Sequence, residues 1–307
     1  MKVAFCFPGQ GSQDVGMGRA IADRFPEARA VYDEASEAVG FDVARLCFEG
    51  SLEDLTRTEL QQPALVATSI ACLRAVETVG VRPDFVIGHS VGEYSALAAS
   101  GALSPLEAVA LVRERGEAMA EAAREKPGAM AAVLGLEDGV VEGLCSGIDG
   151  VWPANYNCPG QIVVSGENAA VDRLIAEAAA RGARKTVKLR VSGAFHSPLV
   201  ARAAERLEPA LARASWRDPS PPFMSTVTAR IEDAQRLAAL LVDQLTGPVR
   251  FTQAVRGLVR DGVGVFVEIG PGQVLSGLLR RCDRSLRTIS VGDPDSLSRL
   301  GETLSAA

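Results

Sequence analysis

The chain has 307 residues, of which 47% are apolar and 23% are charged, the balance of an ordinary globular protein. Its net charge of −6 and its lack of any block of lysines or arginines argue against nucleic-acid binding. No apolar run approaches the ~18 residues of a membrane-spanning helix. The six cysteines are scattered without a CxxC pair, so we expect no zinc site and reduced thiols in a cytoplasmic protein.

The N-terminal part of the chain alternates predicted strands and helices. Residues 2–7 are a short apolar run that stops at a Pro-Gly pair, which indicates a buried first strand rather than a signal peptide. Apolar residues recur at helical spacing over residues 65–79, and a second short apolar run covers residues 84–87. Another helical pattern covers residues 105–124. This order predicts an α/β fold with a parallel sheet covered by helices.

The middle of the chain predicts a second kind of unit. Its elements are a strand at 129–134, a helix at 137–145, strands at 151–156 and 161–165, a helix at 169–181 and a strand at 185–189. The order β-α-β-β-α-β is that of a ferredoxin-like unit. A helix at 198–214 and a strand at 265–269 follow. We therefore predict an α/β body of residues 1–126 and 194–307, with a ferredoxin-like subdomain inserted at residues 127–193.

The strongest chemical signal is a G-x-S-x-G sequence at residues 88–92, directly between a predicted strand and a predicted helix. In that context the pattern is typical of a nucleophile elbow, a sharp turn whose small flanking residues hold Ser90 out of the backbone. The helix that begins there directs its N–H groups and the positive end of its dipole towards the serine. The alternative is a glycine-rich turn with a capping serine.

A serine hydroxyl needs a base to remove its proton, and the chain has only two histidines. His89 adjoins Ser90 on the sharp turn, where neighbouring side chains usually point apart. His196 lies in a predicted turn between the inserted unit and the next helix, which suits a base that faces a cleft. His196 is therefore the predicted base, although a lone histidine is more often structural.

A glycine-rich loop follows the first predicted strand and reads Pro-Gly-Gln-Gly-Ser-Gln at positions 8–13. Loops of this kind often hold phosphate. This one has neither the Lys-Ser/Thr pair of a P-loop nor the spacing of G-x-G-x-x-G. The other use of such a loop is to point a backbone N–H group at a developing oxyanion.

Six motifs that occur in order along the chain carry a family resemblance. They are Gly9-Gln10-Gly11-Ser12-Gln13, Gln62-Pro63-Ala64, Gly88-His89-Ser90-Val91-Gly92-Glu93, Asn155-Tyr156-Asn157-Cys158-Pro159-Gly160-Gln161, Gly193-Ala194-Phe195-His196-Ser197 and Glu268-Ile269-Gly270-Pro271-Gly272. Together they resemble malonyl-CoA:acyl carrier protein transacylases and the related acyltransferases of polyketide synthases. The resemblance extends to about residue 281. It implies an α/β-hydrolase-like body with a ferredoxin-like insert, which coincides with the organisation predicted above.

The resemblance implies catalytic roles for the matching residues. Ser90 would be the nucleophile that forms an acyl ester, and His196 would be its base. A backbone carbonyl near Arg250 would orient His196. The backbone N–H groups of Gln10 and Val91 would stabilise the oxyanion.

The resemblance also implies a binding site for the acyl group. Arg115 would hold the free carboxylate of a malonyl unit, and Gln62 would line the same pocket. Asn155 and Asn157 would lie beside the thioester arm, and Phe195 is similar to its counterpart in malonyl-handling relatives. Taken alone, an arginine on a helix is usually a solvated surface residue. A planar guanidinium is nevertheless what selection for a carboxylate requires.

The implied reaction is a ping-pong transfer of a malonyl group from coenzyme A to an acyl carrier protein, without a metal or a redox cofactor. Carrier proteins are acidic, so we expect a local basic surface for docking. The candidate residues on the inserted unit are Arg181, Arg184, Lys185 and Lys188.

Three alternative functions stay open from the sequence. A thioester hydrolase of the same fold would use the same serine and histidine, but would have no use for Arg115. A free-standing polyketide synthase acyltransferase would share the chemistry, with the same or a different acyl group. A non-catalytic carrier-binding protein would not need Ser90, His196 and Arg115 together.

Overall fold

The computed structural model describes residues 1–305 of the chain. The strands are β1 (Lys2–Phe7), β2 (Phe85–Gly88), β3 (Ala129–Leu134), β4 (Val151–Cys158), β5 (Gln161–Gly166), β6 (Lys185–Lys188), β7 (Phe223–Met224), β8 (Ile231–Glu232), β9 (Val263–Ile269) and β10 (Arg287–Val291). The helices are α1 (Arg19–Arg24), α2 (Pro26–Val39), α3 (Val43–Glu49), α4 (Thr58–Thr78), α5 (Gly92–Ala99), α6 (Pro105–Glu125), α7 (Asp138–Gly147), α8 (Asn168–Ala180), α9 (Ala201–Arg213), α10 (Ala234–Thr246), α11 (Phe251–Arg260), α12 (Val274–Cys282) and α13 (Pro294–Ser305). Short 3₁₀ turns cover Asp54–Thr56 and Pro198–Val200.

Six strands form the main sheet in the order β10-β9-β1-β2-β7-β8, and all neighbours are parallel except β7 and β8. The last four residues of β1 are buried, as expected for a central parallel strand that helices cover on both faces. β1 and β2 run side by side to their C-terminal ends, so the loops that follow them meet at one edge of the sheet. The predicted parallel sheet is confirmed.

The helices α4 and α6 pack against each other on the main sheet. α4 contains Pro63, which cannot donate a hydrogen bond to the carbonyl of Glu59 one turn earlier. Arg113 on α6 donates from Nη1 to that carbonyl oxygen at 3.0 Å, so the helix continues through the proline. α4 is therefore longer at its N-terminus than the helix predicted for residues 65–79. α6 begins at a capping box formed by Ser104 and Glu107.

The strands β3 to β6 form a separate antiparallel sheet in the order β4-β5-β3-β6. α7 and α8 pack on it, and their apolar side chains form a core with those of the sheet. The element order β-α-β-β-α-β is the one predicted, and it is that of a ferredoxin-like unit. The division of the chain at residues 127 and 193 stays a prediction.

The small sheet also packs against the body of the protein. Met130 and Val163 belong to the same apolar core as side chains of α4 and α6. Val249, just before α11, donates its N–H to Ala154 and accepts from the N–H of Tyr156, both at 2.8 Å. These two hydrogen bonds hold strand β4 against the body, with its polar side chains close to the main sheet.

Other predicted elements differ from the structure only in detail. The helix predicted for residues 198–214 is a 3₁₀ turn followed by α9, and the strand predicted for 265–269 is the larger part of β9. All six cysteines are free thiols, and five of them are buried. Within residues 1–305, none of the helices has both the length and the apolar character that crossing a membrane requires.

Candidate active site

Ser90 occupies the sharp turn between β2 and α5. Its φ of 52° lies in the left-handed region, which residues other than glycine rarely adopt, as a nucleophile elbow requires. The flanking glycines have no room for a side chain. A Cβ atom on Gly88 would lie 2.1 Å from the carbonyl carbon of Gly92, and one on Gly92 would lie 2.2 Å from the carbonyl oxygen of Phe7. The G-x-S-x-G pattern therefore reflects a turn packed tightly against the end of β1.

His196 lies directly beside Ser90, although it is distant in the sequence. Its Nε2 is 2.8 Å from Ser90 Oγ, and its Nδ1 is 2.8 Å from the backbone carbonyl oxygen of Gln244. Because a carbonyl oxygen only accepts hydrogen bonds, Nδ1 carries the proton and Nε2 accepts the hydroxyl of Ser90. The imidazole is thus in the tautomer that a general base needs, within reach of the serine proton.

The carbonyl that orients His196 is not the one predicted, and the expectation of a carbonyl near Arg250 is wrong. The Arg250 carbonyl accepts from the N–H of Ala254 at 3.0 Å, in the first turn of α11. Gln244 lies in the last turn of α10. If the helix continued, the carbonyl of Gln244 would accept from the N–H of the residue four positions later. That residue is Pro248, which has no N–H group. The Gln244 carbonyl is therefore left available for the imidazole.

The electrostatic surroundings keep His196 neutral. Burial, and after it the positive charge of Arg115, lowers the pKa of His196 to about 3. The lone pair of Nε2 is therefore available at neutral pH. An imidazolium formed by proton transfer from Ser90 is unstable in these surroundings and readily gives the proton to a leaving group.

Arg115 lies on α6 and is only 1% exposed, so it is not the solvated surface residue that a helical arginine usually is. Its Nη1 donates to Gln62 Oε1 at 2.7 Å. Its Nη2 donates to Gln244 Oε1 at 2.9 Å and to Ser90 Oγ at 3.2 Å. All three acceptors are neutral oxygens. The guanidinium can therefore pair with an anionic group carried by an acyl chain on Ser90.

A cavity of about 780 Å³, its open mouth included, lies over Ser90. Gln10 and Phe195 line it from the body, and Asn155 and Asn157 line it from β4. These four residues were all assigned to the site from the sequence. A cavity between two packed units, lined by both apolar and polar side chains, is a common location for a small-molecule or cofactor site.

Two backbone N–H groups near Ser90 are available as donors. Gln10 follows Gly9, whose position against the elbow is so close that a Cβ atom there would lie 2.4 Å from the carbonyl oxygen of His89. Val91 directly precedes α5. Within residues 1–305, neither the N–H of Gln10 nor that of Val91 has a protein acceptor. Two free donors beside a nucleophile are what an oxyanion hole needs.

The second histidine has a different partner. His89 Nε2 is 2.9 Å from Asn157 Oδ1, and the imidazole lies 5.5 Å from the ring of Phe251. Burial lowers the pKa of His89. His89 therefore links the elbow to β4, while His196 makes the contact with Ser90.

Gln244 is the main site residue that the sequence analysis missed. Its backbone accepts from His196 and its side chain accepts from Arg115, so it joins the two groups nearest Ser90. The available signal was Pro248, because a proline one turn after a helical residue frees that residue's carbonyl.

Within the described part of the chain, no three His, Cys, Asp or Glu side chains are grouped so that they could hold a metal ion.

The fold and the site together define a protein with an α/β body, a small antiparallel sheet and a hydrogen-bonded Ser90–His196 pair in the cavity between them. The model of the acyl transferase domain family matches residues 4–294. The chain belongs to this family.

Individual relatives agree over almost the whole chain. A malonyl CoA-acyl carrier protein transacylase of Bacillus subtilis (strain 168) is 44% identical, covering 99% of this chain and 97% of the relative. The crystal structure of a malonyl-CoA:acyl carrier protein transacylase of Xanthomonas oryzae has a TM-score of 0.95 and 44% identity, covering 98% of each chain. A malonyl-transacylase in complex with its type II PKS acyl-carrier protein has a TM-score of 0.95 and 38% identity, covering 99% of this chain and all of that one.

Proposed function

We propose that this protein transfers a malonyl group from malonyl-CoA to the phosphopantetheine thiol of an acyl carrier protein, through an ester on Ser90. The relatives named above, which are similar over almost their full length, carry this activity in their names. The observation that carries the proposal in this chain is the buried guanidinium of Arg115, 3.2 Å from Ser90 Oγ. A cation at that position distinguishes a malonyl group from an uncharged acyl group.

The first half of the reaction forms the acyl enzyme. His196 Nε2 takes the proton of Ser90, whose oxygen attacks the thioester carbonyl of malonyl-CoA. The tetrahedral oxyanion is stabilised by the N–H groups of Gln10 and Val91. The carbon–sulfur bond then breaks, and the thiolate of coenzyme A leaves with the proton held by His196.

The second half reverses these steps with a different thiol. The phosphopantetheine thiol of the carrier protein gives its proton to His196 and attacks the Ser90 ester. When the tetrahedral intermediate collapses, the serine oxygen leaves and recovers the proton from the imidazolium. The malonyl group ends as a thioester on the carrier, and the enzyme returns to its starting state. No step uses a metal or a redox cofactor, so we propose that the protein works without one.

The carrier protein would reach Ser90 through the cavity between the body and the small sheet. Its phosphopantetheine arm would lie along Asn155 and Asn157, which line that cavity. The basic candidates Arg181, Arg184, Lys185 and Lys188 are exposed on the small sheet and its neighbouring helix. Lys188 is already paired with Asp172 at 2.8 Å, which leaves the other three as the stronger candidates for contact with an acidic carrier.

The pathway served is that of fatty acid or polyketide synthesis, since relatives of both kinds share this fold and sequence. We further propose that the protein acts in the cytoplasm, because all six of its cysteines are free thiols, as a reducing compartment maintains.

Intact-protein mass spectrometry tests the proposed function directly. The protein is mixed separately with malonyl-CoA, methylmalonyl-CoA and acetyl-CoA, and we expect the mass of one malonyl group to be added from the first, on the peptide that contains Ser90. Addition of a holo acyl carrier protein should then remove that mass and place it on the carrier. An adduct on Cys158, which lies in the same motif as Asn157, would contradict the serine mechanism.

Two further outcomes separate the alternatives. Release of free malonate without a carrier protein, at the rate of adduct formation, would indicate a thioester hydrolase. Absence of any adduct would indicate a carrier-binding protein without catalytic activity. Competition between carriers of fatty acid and polyketide type, at equal concentration, assigns the pathway.

A further inference from the structure

Glu93 is a fully buried carboxylate that the proposed reaction steps do not use. It lies one turn after Ser90, in the first turn of α5. Thr226 donates to its Oε1 from the backbone N–H and, at 2.8 Å, from Oγ1. Gln244 donates to its Oε2 from Nε2. A buried carboxylate is costly, and three donors with no direct cation indicate a defined task for this one.

Gln244 connects that carboxylate to the reacting groups. The same Nε2 that donates to Glu93 also donates to the backbone carbonyl of Ser90 at 3.1 Å. Its Oε1 accepts from Arg115 Nη2 at 2.9 Å, and its backbone carbonyl accepts from His196 Nδ1 at 2.8 Å. One residue therefore contacts the nucleophile, the base, the guanidinium and the buried carboxylate.

A side-chain amide can be turned over, and its two orientations differ only in which end donates. An ionised carboxylate only accepts, so Glu93 requires that Gln244 present Nε2 to it. Oε1 must then face Arg115, which only donates. The orientation of the amide, and with it the position of the guanidinium, is thus set by Glu93 together with the backbone carbonyl of Ser90, which accepts from the same Nε2.

We infer that Glu93 is a positioning residue for acyl selection: acting through the Gln244 amide, it holds Arg115 beside Ser90 in the place where a malonyl carboxylate can pair with it. This inference rests on the proposed malonyl transfer. Glu93 touches neither Ser90 Oγ nor Arg115 by a hydrogen bond of its side chain, so its effect passes through Gln244.

The position of the negative charge supports this inference. If Glu93 contacted Arg115 directly, the two would form a closed ion pair, and an incoming carboxylate would have to displace it. With an amide between them, the guanidinium keeps a compensating charge nearby while its own contacts are all neutral oxygens. Burial lowers the pKa of Arg115, and the nearby carboxylate of Glu93 opposes that shift. Burial raises the pKa of Glu93 to about 7, and its donors and Arg115 oppose that shift.

The substitution Glu93→Gln tests the inference with almost no change of shape. The new Oε1 can accept from Thr226, so the new Nε2 points at Nε2 of Gln244, and two donors meet. Gln244 must then either turn its amide over, which puts a donor against Arg115, or move away from residue 93, and either change disturbs the contact that holds the guanidinium. We expect kcat/KM for malonyl-CoA to fall about 10- to 100-fold, the loss of one hydrogen bond to a charged group, with a much smaller change for acetyl-CoA.

Two further variants complete the experiment. Glu268→Gln is a matched control, because Glu268 is also a fully buried carboxylate, but it accepts from the N–H groups of Leu275 and Ser276 at the start of α12. It should lower thermal stability and leave the ratio of malonyl to acetyl rates unchanged. Glu93→Asp keeps the acceptor charge with a shorter reach and should retain more of the ratio than Glu93→Gln. Glu93→Asp also provides a test of the inference if Glu93→Gln does not fold.

The ratio of the two acylation rates decides the outcome, and it is measured on folded protein by intact mass against time. A reduced ratio in Glu93→Gln, partly retained in Glu93→Asp, supports the inference. An unchanged ratio, or equal losses for both thioesters, means that Glu93 only stabilises the fold. Failure of the wild-type protein to form a malonyl ester would instead contradict the proposed function itself, so the two failures are distinguishable.

Discussion

The substitution Arg115→Ala removes the guanidinium that lies 3.2 Å from Ser90 Oγ. In the proposed malonyl ester, only the ester carbonyl carbon and one CH₂ group separate that oxygen from the free carboxylate, so the carboxylate comes within reach of both Nη atoms. Each hydrogen bond between charged groups is worth ~1.5–3 kcal/mol, so two parallel bonds contribute about 3–6 kcal/mol. At ~1.36 kcal/mol for each factor of ten, kcat/KM for malonyl-CoA should fall by about 10² to 10⁴.

Acetyl-CoA should respond differently, because its acyl group leaves the guanidinium without a partner. Removing the charge also raises the pKa of His196, since Arg115 is the largest cause of its depression after burial. The imidazole becomes a stronger base, so acetyl transfer should be unchanged or faster. The Oε1 atoms of Gln62 and Gln244 lose their donor, but the space left by the side chain is polar and large enough for water.

The assay measures acylation of the wild type, Arg115→Ala and Arg115→Lys with each thioester, on samples whose circular dichroism and melting temperature are compared first. Arg115→Lys should recover only part of the malonyl rate, because one ammonium group cannot form two parallel bonds. If the malonyl and acetyl rates of Arg115→Ala fall together, the guanidinium has a structural role only, and the reasoning is refuted.

The remaining predictions concern the pair at the elbow. Ser90→Ala should abolish the covalent adduct in mass spectra without loss of folding, and an adduct that persists would contradict the proposed nucleophile. His196→Ala should slow acylation by ~10³-fold or more, and His89→Ala much less; similar losses in two folded variants would contradict the choice of base. The pKa of His196 is about 3 when folded and ~6.5 when unfolded, so this group favours the unfolded state as the pH falls below ~6.5. Between pH 6.5 and 4.5 the stability of the wild type relative to His196→Ala, measured by denaturant titration at each pH, should fall by roughly 2–3 kcal/mol.

The helices and strands that the sequence predicts well are those whose ends are marked by turn residues such as proline and glycine. β1 is an apolar run that a Pro-Gly pair ends, and the strands of the small sheet lie between similar turn signals. Apolar spacing predicts this helix only over residues 65–79, whereas α4 begins at Thr58 and contains Pro63. The helix continues through the proline because Arg113 on α6 donates a hydrogen bond to the carbonyl of Glu59, which Pro63 leaves unpaired. That contact is between distant residues, so no local pattern indicates it.

The candidate site likewise contains residues that sequence patterns predict and residues that only the folded chain reveals. Ser90 and His196 follow from the elbow pattern and from the small number of histidines, and the structure brings their side chains to within 2.8 Å. The predicted carbonyl near Arg250 was six residues from the one that contacts His196, because only the folded chain shows which helical end faces the imidazole. Glu93 is the last residue of the motif around Ser90, but its role depends on Gln244, which lies in none of the six motifs. The contacts within a network of buried polar groups therefore cannot be predicted from the sequence and are seen only in the folded structure.

The strand order of the main sheet has a consequence for the synthesis of this protein. β1 lies between β2 and β9, so one of its edges stays unpaired until almost the entire chain has been made. At ~5–20 residues per second, the interval between β2 and β9 on the ribosome is about ten to thirty-five seconds. Throughout that time the edge of β1 that pairs with β9 lacks its strand partner, and an unpaired strand edge is a template for pairing with another chain. The loop after β1 also packs against the residues that follow β9, where a Cβ atom on Gly270 would lie 3.1 Å from Cγ of Pro8, so this contact can form only after residue 270 has been made.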